Sequence, residues 1–131
     1  MADSMREKKI GTRPSMTEES RKEYRRAGRR IAVNKLNKEH VMVTVGLLDR
    51  EIHETTRYLM QQEQKRAAAL FARPRTARLD EDVARLTDDV DCLRECLKAL
   101  EYSKAVSLSQ MHELDVKMDG DRCLMEISRI G

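Results

Sequence analysis

The sequence predicts an all-α protein, an elongated coiled coil folded as an antiparallel helical hairpin broken near Pro74, with a basic amino-terminal arm. Charged residues make up 37% of the 131 residues and aromatic residues only 3%, whereas compact cores draw much of their buried area from aromatic side chains. Two prolines and five glycines provide few of the turn signals of a β-sandwich or barrel. Apolar residues recur instead at heptad spacing in two long runs, the pattern of paired helices.

The amino-terminal part is predicted to be an extended arm over residues 1–14, followed by a basic helical arm over residues 15–40. Ser15 and Glu18 have the spacing of a capping box, in which each side chain bonds a free backbone N–H at a helix start. Six basic side chains recur along one side of this helix. We refer to them as the basic stripe: Arg21, Lys22, Arg25, Arg26, Arg29 and Arg30.

The first heptad run predicts a coiled-coil helix over residues 41–72. Seven of its twelve a and d positions are apolar, so this is the weaker of the two runs. These twelve positions form the first seam: Ile31, Asn34, Lys38, Val41, Val45, Leu48, Ile52, Thr55, Leu59, Gln62, Arg66 and Ala69.

The second heptad run predicts a coiled-coil helix over residues 77–119, and eleven of its fourteen a and d positions are apolar. Lys104 and Ser107 form a polar layer within it, which lowers stability but fixes the register and the choice of partner. We expect Leu86, Leu93, Leu97 and Leu100 to carry the helix–helix contact. The second seam comprises Leu79, Val83, Leu86, Val90, Leu93, Leu97, Leu100, Lys104, Ser107, Met111, Leu114, Met118, Asp121 and Met125.

The two runs do not share a heptad register, and the mismatch coincides with Pro74. Because proline lacks a backbone donor and restricts the preceding residue, we predict a turn or kink at residues 73–76. A turn allows the two helices to pair as an antiparallel hairpin. The alternative is one kinked rod whose seams face different partner chains. Residues 120–131 are predicted to form a short carboxy-terminal segment.

Charge is distributed unevenly along the chain. Residues 1–40 carry 12 basic and 6 acidic side chains, residues 41–78 carry 7 and 4, and residues 79–131 carry 7 and 13. A basic front and an acidic back indicate either pairing within the chain or two partners of opposite sign. We expect helical partners, or the chain itself, at the seams, and an acidic surface at the basic stripe.

No catalytic or cofactor motif is recognised in the sequence, so we expect a non-enzymatic protein without a cofactor. Both His-Glu pairs lack the second histidine of a zinc peptidase motif, and the isolated glycines form no phosphate-binding loop. Three cysteines provide no evenly paired disulfide framework, which favours a reducing compartment. No apolar run reaches the ~20 residues that span a bilayer, so no membrane contact is expected.

One segment offers carboxylates at metal-ligand spacing. Asp115, Asp119, Gly120 and Glu126 stand at positions 1, 5, 6 and 12 of a twelve-residue stretch, and this stretch resembles an EF-hand calcium loop. The resemblance implies a metal site at Asp115, Asp119 and Glu126. Lys117 departs from the pattern, because it places a cation at position 3, where the loop needs a ligand.

These features together favour a structural coiled-coil subunit of a larger assembly in the cytoplasm, with the cytoskeleton, a microtubule or a cilium as the candidate location. Arg25, Arg26, Arg29 and Arg30 are predicted to dock on an acidic surface such as a microtubule wall. The alternative is a nucleic-acid-binding or ribosome-associated helical protein, since the same cations can neutralise phosphates.

Overall fold

The computed structural model describes residues 16–130. They form two α-helices of 54 residues each, α1 (Glu18–Phe71) and α2 (Ala77–Ile130), and this part of the chain contains no strand. The two helices pack as a helical hairpin, which confirms the predicted all-α fold and hairpin. The predicted extended arm, the capping residue Ser15 and the final Gly131 lie outside the described residues.

Both helices begin at a threonine that caps the first turn. The backbone N–H of Ser20 donates to Oγ1 of Thr17 at 3.0 Å, and that of Leu79 donates to Oγ1 of Thr76 at 3.1 Å. Each threonine thus satisfies one of the backbone donors that a helix start leaves free. In α1 this cap lies two residues after Ser15, the residue that the sequence pattern favoured.

Arginine side chains close the turn between the helices. Nη1 of Arg75 donates to the carbonyl oxygen of Ala69 at 2.6 Å, and Nη2 of the same side chain lies 2.6 Å from Oδ1 of Asp80. Arg73 donates to the carbonyl oxygen of Leu70 at 3.2 Å, and the Arg73–Pro74 peptide bond is cis. The arginines satisfy carbonyls that the end of α1 leaves without a helical partner.

Each helix continues across a segment boundary that the sequence pattern predicts. Residues 15–40 and 41–72 were assigned to separate segments, but α1 runs without interruption through both from Glu18. The chain after residue 119 was assigned to a separate short segment, but α2 continues to Ile130. A single interior glycine, such as Gly120, costs a helix only about 1 kcal/mol relative to alanine, which is too little to end it.

The hairpin divides into two compact units. The turn unit contains residues 41–109. Within it, Nζ of Lys104 lies 2.6 Å from a carboxylate oxygen of Asp49, and Nη2 of Arg94 lies 2.8 Å from one of Glu63. Because higher numbers in α1 meet lower numbers in α2, the helices of this unit are antiparallel.

The terminal unit contains residues 16–40 and 110–130 of the described chain. Nη2 of Arg30 lies 2.9 Å from Oδ1 of Asp121, and Nζ of Lys38 lies 2.7 Å from Oδ1 of Asp115. The helices of this unit are also antiparallel, and cations of α1 meet carboxylates of α2.

The residues of the two predicted seams are all among the covered residues of the hairpin. All twelve positions of the first seam and all fourteen of the second are buried or half-buried. The most buried apolar side chains among them are Leu59, Leu86, Val90 and Met118. Since a single chain provides this burial, each helix covers the apolar side of the other.

Candidate functional site

The basic stripe lies in the first turns of α1, within the terminal unit. All six of its side chains are exposed, and they follow a helix start with Glu18 and Glu19 in its first turn. Acidic residues there favour the helix, because they complement the partial positive charge of its amino terminus. The helix therefore holds the basic side chains at fixed spacing on its surface.

Two of the four predicted docking arginines pair within the chain. Arg30 donates from Nε to Oδ1 of Asp121 at 2.9 Å and from Nη2 to Glu23 at 3.2 Å. The hydrogen bond to Asp121, followed by that to Glu23, raises the pKa of Arg30 above its usual value. Arg26 lies 3.7 Å from the same Glu23. Arg30 thus joins α1 to α2, whereas the pair of Arg26 with Glu23 lies within α1.

Three cations of the stripe form neither an ion pair nor a side-chain hydrogen bond with a described residue, whereas Arg21 lacks an ion pair but donates to the carbonyl oxygen of Met16 at 3.3 Å. Lys22, Arg25 and Arg29 are exposed and form no ion pair with any residue that the structure describes. They stand at i, i+3 and i+7, so they share one side of the helix. We call them the free cations. Arg25 and Arg29 belong to the four predicted docking arginines, and Lys22 is added to them here. These three cations remain able to attract an acidic partner.

A groove in the terminal unit adds a cation that the sequence analysis missed. Arg29, Arg30, Val33 and Asn34 of α1, together with Lys117 of α2, line a hollow of about 400 Å³. Lys117 forms no ion pair within residues 16–130. Lys117 lies in the part of the sequence that is acidic overall, so the net charge of that segment does not predict a cation on this surface. The contact between α1 and α2 brings it to Arg29.

The same side of the terminal unit carries a second hollow of about 390 Å³. Leu124 and Ile127 of α2 contribute apolar surface to it, and they are 37% and 66% exposed. Lys117 and Leu124 are seven residues apart, so they lie on one side of α2. We call the two hollows together the terminal groove. Both hollows combine apolar and charged side chains: Val33 lies with Lys117 and two arginines in the first, and Leu124 and Ile127 lie with Glu19, Glu23 and Arg26 in the second.

The four leucines predicted to carry the helix contact all belong to the turn unit. Leu86 is buried, and Leu93, Leu97 and Leu100 are half-buried. Because this unit contains only segments of α1 and α2 from one chain, α1 is what covers them. Their place in the structure is therefore inside the hairpin.

The carboxylates of the EF-hand-like segment lie on an uninterrupted helix. Asp115, Asp119 and Glu126 all belong to α2, and their nearest cations are Lys38 at 2.7 Å, Arg122 at 2.7 Å and Arg129 at 3.3 Å, respectively. Within residues 16–130, no three His, Cys, Asp or Glu side chains are grouped so that they could hold a metal ion.

The cysteines and helices add no other recognisable site. Cys92, Cys96 and Cys123 are free and exposed. Neither of the two described helices has a stretch long and apolar enough to cross a membrane. No family model, no curated protein and no solved structure matches the chain.

Proposed function

We propose that the chain is a non-enzymatic structural subunit of a larger assembly and that it docks through its basic stripe on an acidic protein surface. A microtubule or ciliary surface is the candidate partner. The observation that carries this proposal is the exposure of Lys22, Arg25 and Arg29 on one side of α1 without an acidic partner in the described chain.

The contrast with the other cations supports a role in docking. Lys38 and Lys104 each lie within 2.7 Å of an aspartate on the opposite helix, and Arg30 is bonded to Asp121. The free cations contribute no comparable contact within the hairpin. Complementary charge accelerates association and fixes orientation between partners, so three cations at fixed spacing suit a repetitive acidic surface.

Exposed apolar side chains support a place in an assembly. Large hydrophobic residues outside the seams include several on each helix that are more than half exposed. Ile127 and Ile130 are three residues apart and so are neighbours on the surface of α2, and contiguous exposed apolar surface commonly marks a protein interaction site. The most exposed of these residues are Phe71, Tyr102, Ile130, Ile127, Val43 and Leu36.

Co-sedimentation with microtubules at physiological salt tests the proposal. Replacing Lys22, Arg25 and Arg29 with alanine should weaken binding roughly tenfold, since each exposed ion contact contributes about 0.2–1 kcal/mol. This variant leaves the Arg30–Asp121 pair intact. Binding should also weaken as salt is raised, because exposed charges are screened.

A matched control removes the same charge from the turn unit. Arg50, Arg57 and Lys65 are exposed and have no ion pair with a described residue, so their replacement with alanine should leave pelleting unchanged. Equal losses in the two variants would show a nonspecific charge effect and would contradict docking through the stripe. Binding that excess RNA abolishes would favour the nucleic-acid alternative instead.

A further inference from the structure

The end of α1 presents the most exposed large hydrophobic residue of the described chain. Phe71, the last residue of this helix, is 81% exposed, and the preceding Leu70 is 45% exposed. Ala67 and Ala68, about one turn earlier, are exposed as well. An apolar surface thus lies where the hairpin turns, and exposed apolar surface of this kind marks an interaction site.

Cations lie on both sides of this apolar surface along the chain and outnumber the carboxylates near it. We call residues 64–85 the tip, and they contain six basic and three acidic side chains. Two of the three carboxylates are paired, Asp80 with Arg75 at 2.6 Å and Asp82 with Arg85 at 2.9 Å. Glu81 is the one carboxylate of the tip without an ion pair to a described residue. Four cations of the tip lack such a pair: Lys65, Arg66, Arg73 and Arg78. The tip therefore carries a net positive charge.

The turn places one of these cations next to Phe71. Nη1 of Arg73 donates to the carbonyl oxygens of Leu70 and Ala72, at 3.2 and 2.9 Å. Its guanidinium therefore lies at the end of α1, beside the apolar surface. A guanidinium has several N–H donors, so these contacts leave others able to bind an anionic oxygen.

We propose that the tip docks on the surface of an anionic lipid bilayer and that Phe71 enters the bilayer interface. Stable binding to such a surface takes two signals, an apolar group that enters it and cations that are attracted to anionic head groups. The tip offers both within a few residues of each other. The contact lies at the bilayer surface and needs no membrane-spanning stretch. It uses none of Lys22, Arg25 and Arg29, so it goes beyond the docking of the basic stripe.

Two observations favour a bilayer over another anionic partner. Leu70 is exposed beside Phe71, and an aliphatic side chain adds nothing to the base stacking by which aromatic residues bind single-stranded nucleic acid. In a bilayer interface, by contrast, both side chains gain from leaving water. Phe71 also protrudes from the end of a helix, and an acidic protein would have to provide a pocket of matching shape to bury it. The fluid head-group region of a bilayer needs no such pocket.

A tryptophan reporter at position 71 tests the insertion directly. The chain contains no tryptophan, so Phe71→Trp introduces a single indole at the tip. With vesicles of equimolar phosphatidylcholine and phosphatidylserine, its emission should shift to shorter wavelength and its quenching by acrylamide should fall several-fold, because the ring leaves water. Vesicles of phosphatidylcholine alone should cause little change, since they do not attract the cations of the tip.

Tyr102→Trp provides the matched control. Tyr102 is 73% exposed on α2, within the turn unit but outside the tip, so an indole there should stay in water with both kinds of vesicle. Equal shifts at the two positions would mean that the chain adsorbs without using the tip, and no shift at position 71 would mean that Phe71 does not insert. Either result would overturn the proposal. Circular dichroism checks that each variant keeps its helices.

Charge variants of the Phe71→Trp chain test the cations. Lys65→Glu combined with Arg78→Glu should weaken vesicle binding at least about tenfold, since each cation near an anionic surface contributes to binding. The same charge reversal at Arg50 and Arg57, which are exposed outside the tip, should weaken binding far less. Equal losses in the two variants would contradict docking through the tip.

Two further experiments separate this contact from the basic stripe and from nucleic acid. Replacing Lys22, Arg25 and Arg29 with alanine should leave the emission shift at position 71 unchanged, so vesicle binding and microtubule docking are tested independently. RNA added in place of the vesicles should cause no comparable shift. Loss of the shift in the stripe variant, or a response to RNA without a response to vesicles, would overturn the proposal.

Discussion

The two units of the hairpin use the same seam spacing but bury different chemistry. In the turn unit the most buried apolar side chains are Leu59, Leu86 and Val90. In the terminal unit the small Ala27 is fully buried, Met118 is 3% exposed, and the charged Asp121 is among the buried residues. Branched aliphatic side chains thus form most of the buried apolar interior of the turn unit, whereas the terminal unit buries an alanine and a methionine beside a charged aspartate. Heptad spacing determines which residues are covered, but side-chain size and charge determine what that burial contributes.

The largest expected effect comes from the aliphatic interior of the turn unit. Leu86 is 7% exposed, and replacing a buried leucine with alanine costs about 2–5 kcal/mol through lost burial and a residual cavity. We therefore expect Leu86→Ala to lower the free energy of unfolding by about 2–4 kcal/mol in urea denaturation. Leu108 on the same helix is 45% exposed and provides the matched control, whose loss should be much smaller. Equal losses would contradict the burial of Leu86.

The next effect tests the close packing of the terminal unit. Ala27 has no exposed surface, so a larger side chain there must displace its neighbours. Extra methylene groups in a packed interior cost about 1–3 kcal/mol, and we expect Ala27→Leu to destabilise the protein by that amount. Ala32→Leu lies at an exposed position of the same helix and should be close to neutral. Thermal unfolding of both variants measures the difference. Equal unfolding midpoints would mean that the packing around Ala27 is loose, which would contradict the prediction.

The covered side of each helix was predictable from the sequence, whereas the ionic contacts across the hairpin were not. Heptad spacing placed Lys104 in the second seam, because helical periodicity is a local property. Its partner Asp49 lies 55 positions away in the sequence, and only the packed hairpin brings the two within 2.6 Å. The same reason explains why Lys117 was missed in the groove. Its segment is acidic overall, but the contact with α1 sets its surroundings.

A smaller effect should arise from a polar group inside the turn unit. Gln62 is 6% exposed, and its Oε1 is buried without a hydrogen-bond partner among the described residues. A buried polar group left unpaired costs about 1–3 kcal/mol, so Gln62→Leu should raise the free energy of unfolding by about 1–2 kcal/mol.

The neighbouring Gln61 is exposed and offers the same substitution outside the seam. Gln61→Leu should change the urea midpoint little. If Gln62→Leu destabilised the protein, the amide would have a favourable role in the seam, for example in fixing the register, that outweighs its unpaired oxygen. The turn unit would then be stabilised by this amide as well as by its buried aliphatic side chains.

The smallest effect concerns the ionic contact that the two units have in common. Each unit pairs a seam lysine with an aspartate of the opposite helix, Lys38 with Asp115 at 2.7 Å and Lys104 with Asp49 at 2.6 Å. All four side chains are at least 30% exposed, and exposed pairs contribute about 0.2–1 kcal/mol. Double-mutant cycles with alanine should therefore give coupling energies below about 1 kcal/mol in both units. Both couplings should decrease as salt is raised. A large coupling energy in the terminal unit alone would mean that ion pairs stabilise that unit in place of the aliphatic contacts of the turn unit. Equal small coupling energies would mean that the two units differ in stability through Ala27, Leu86 and their apolar neighbours.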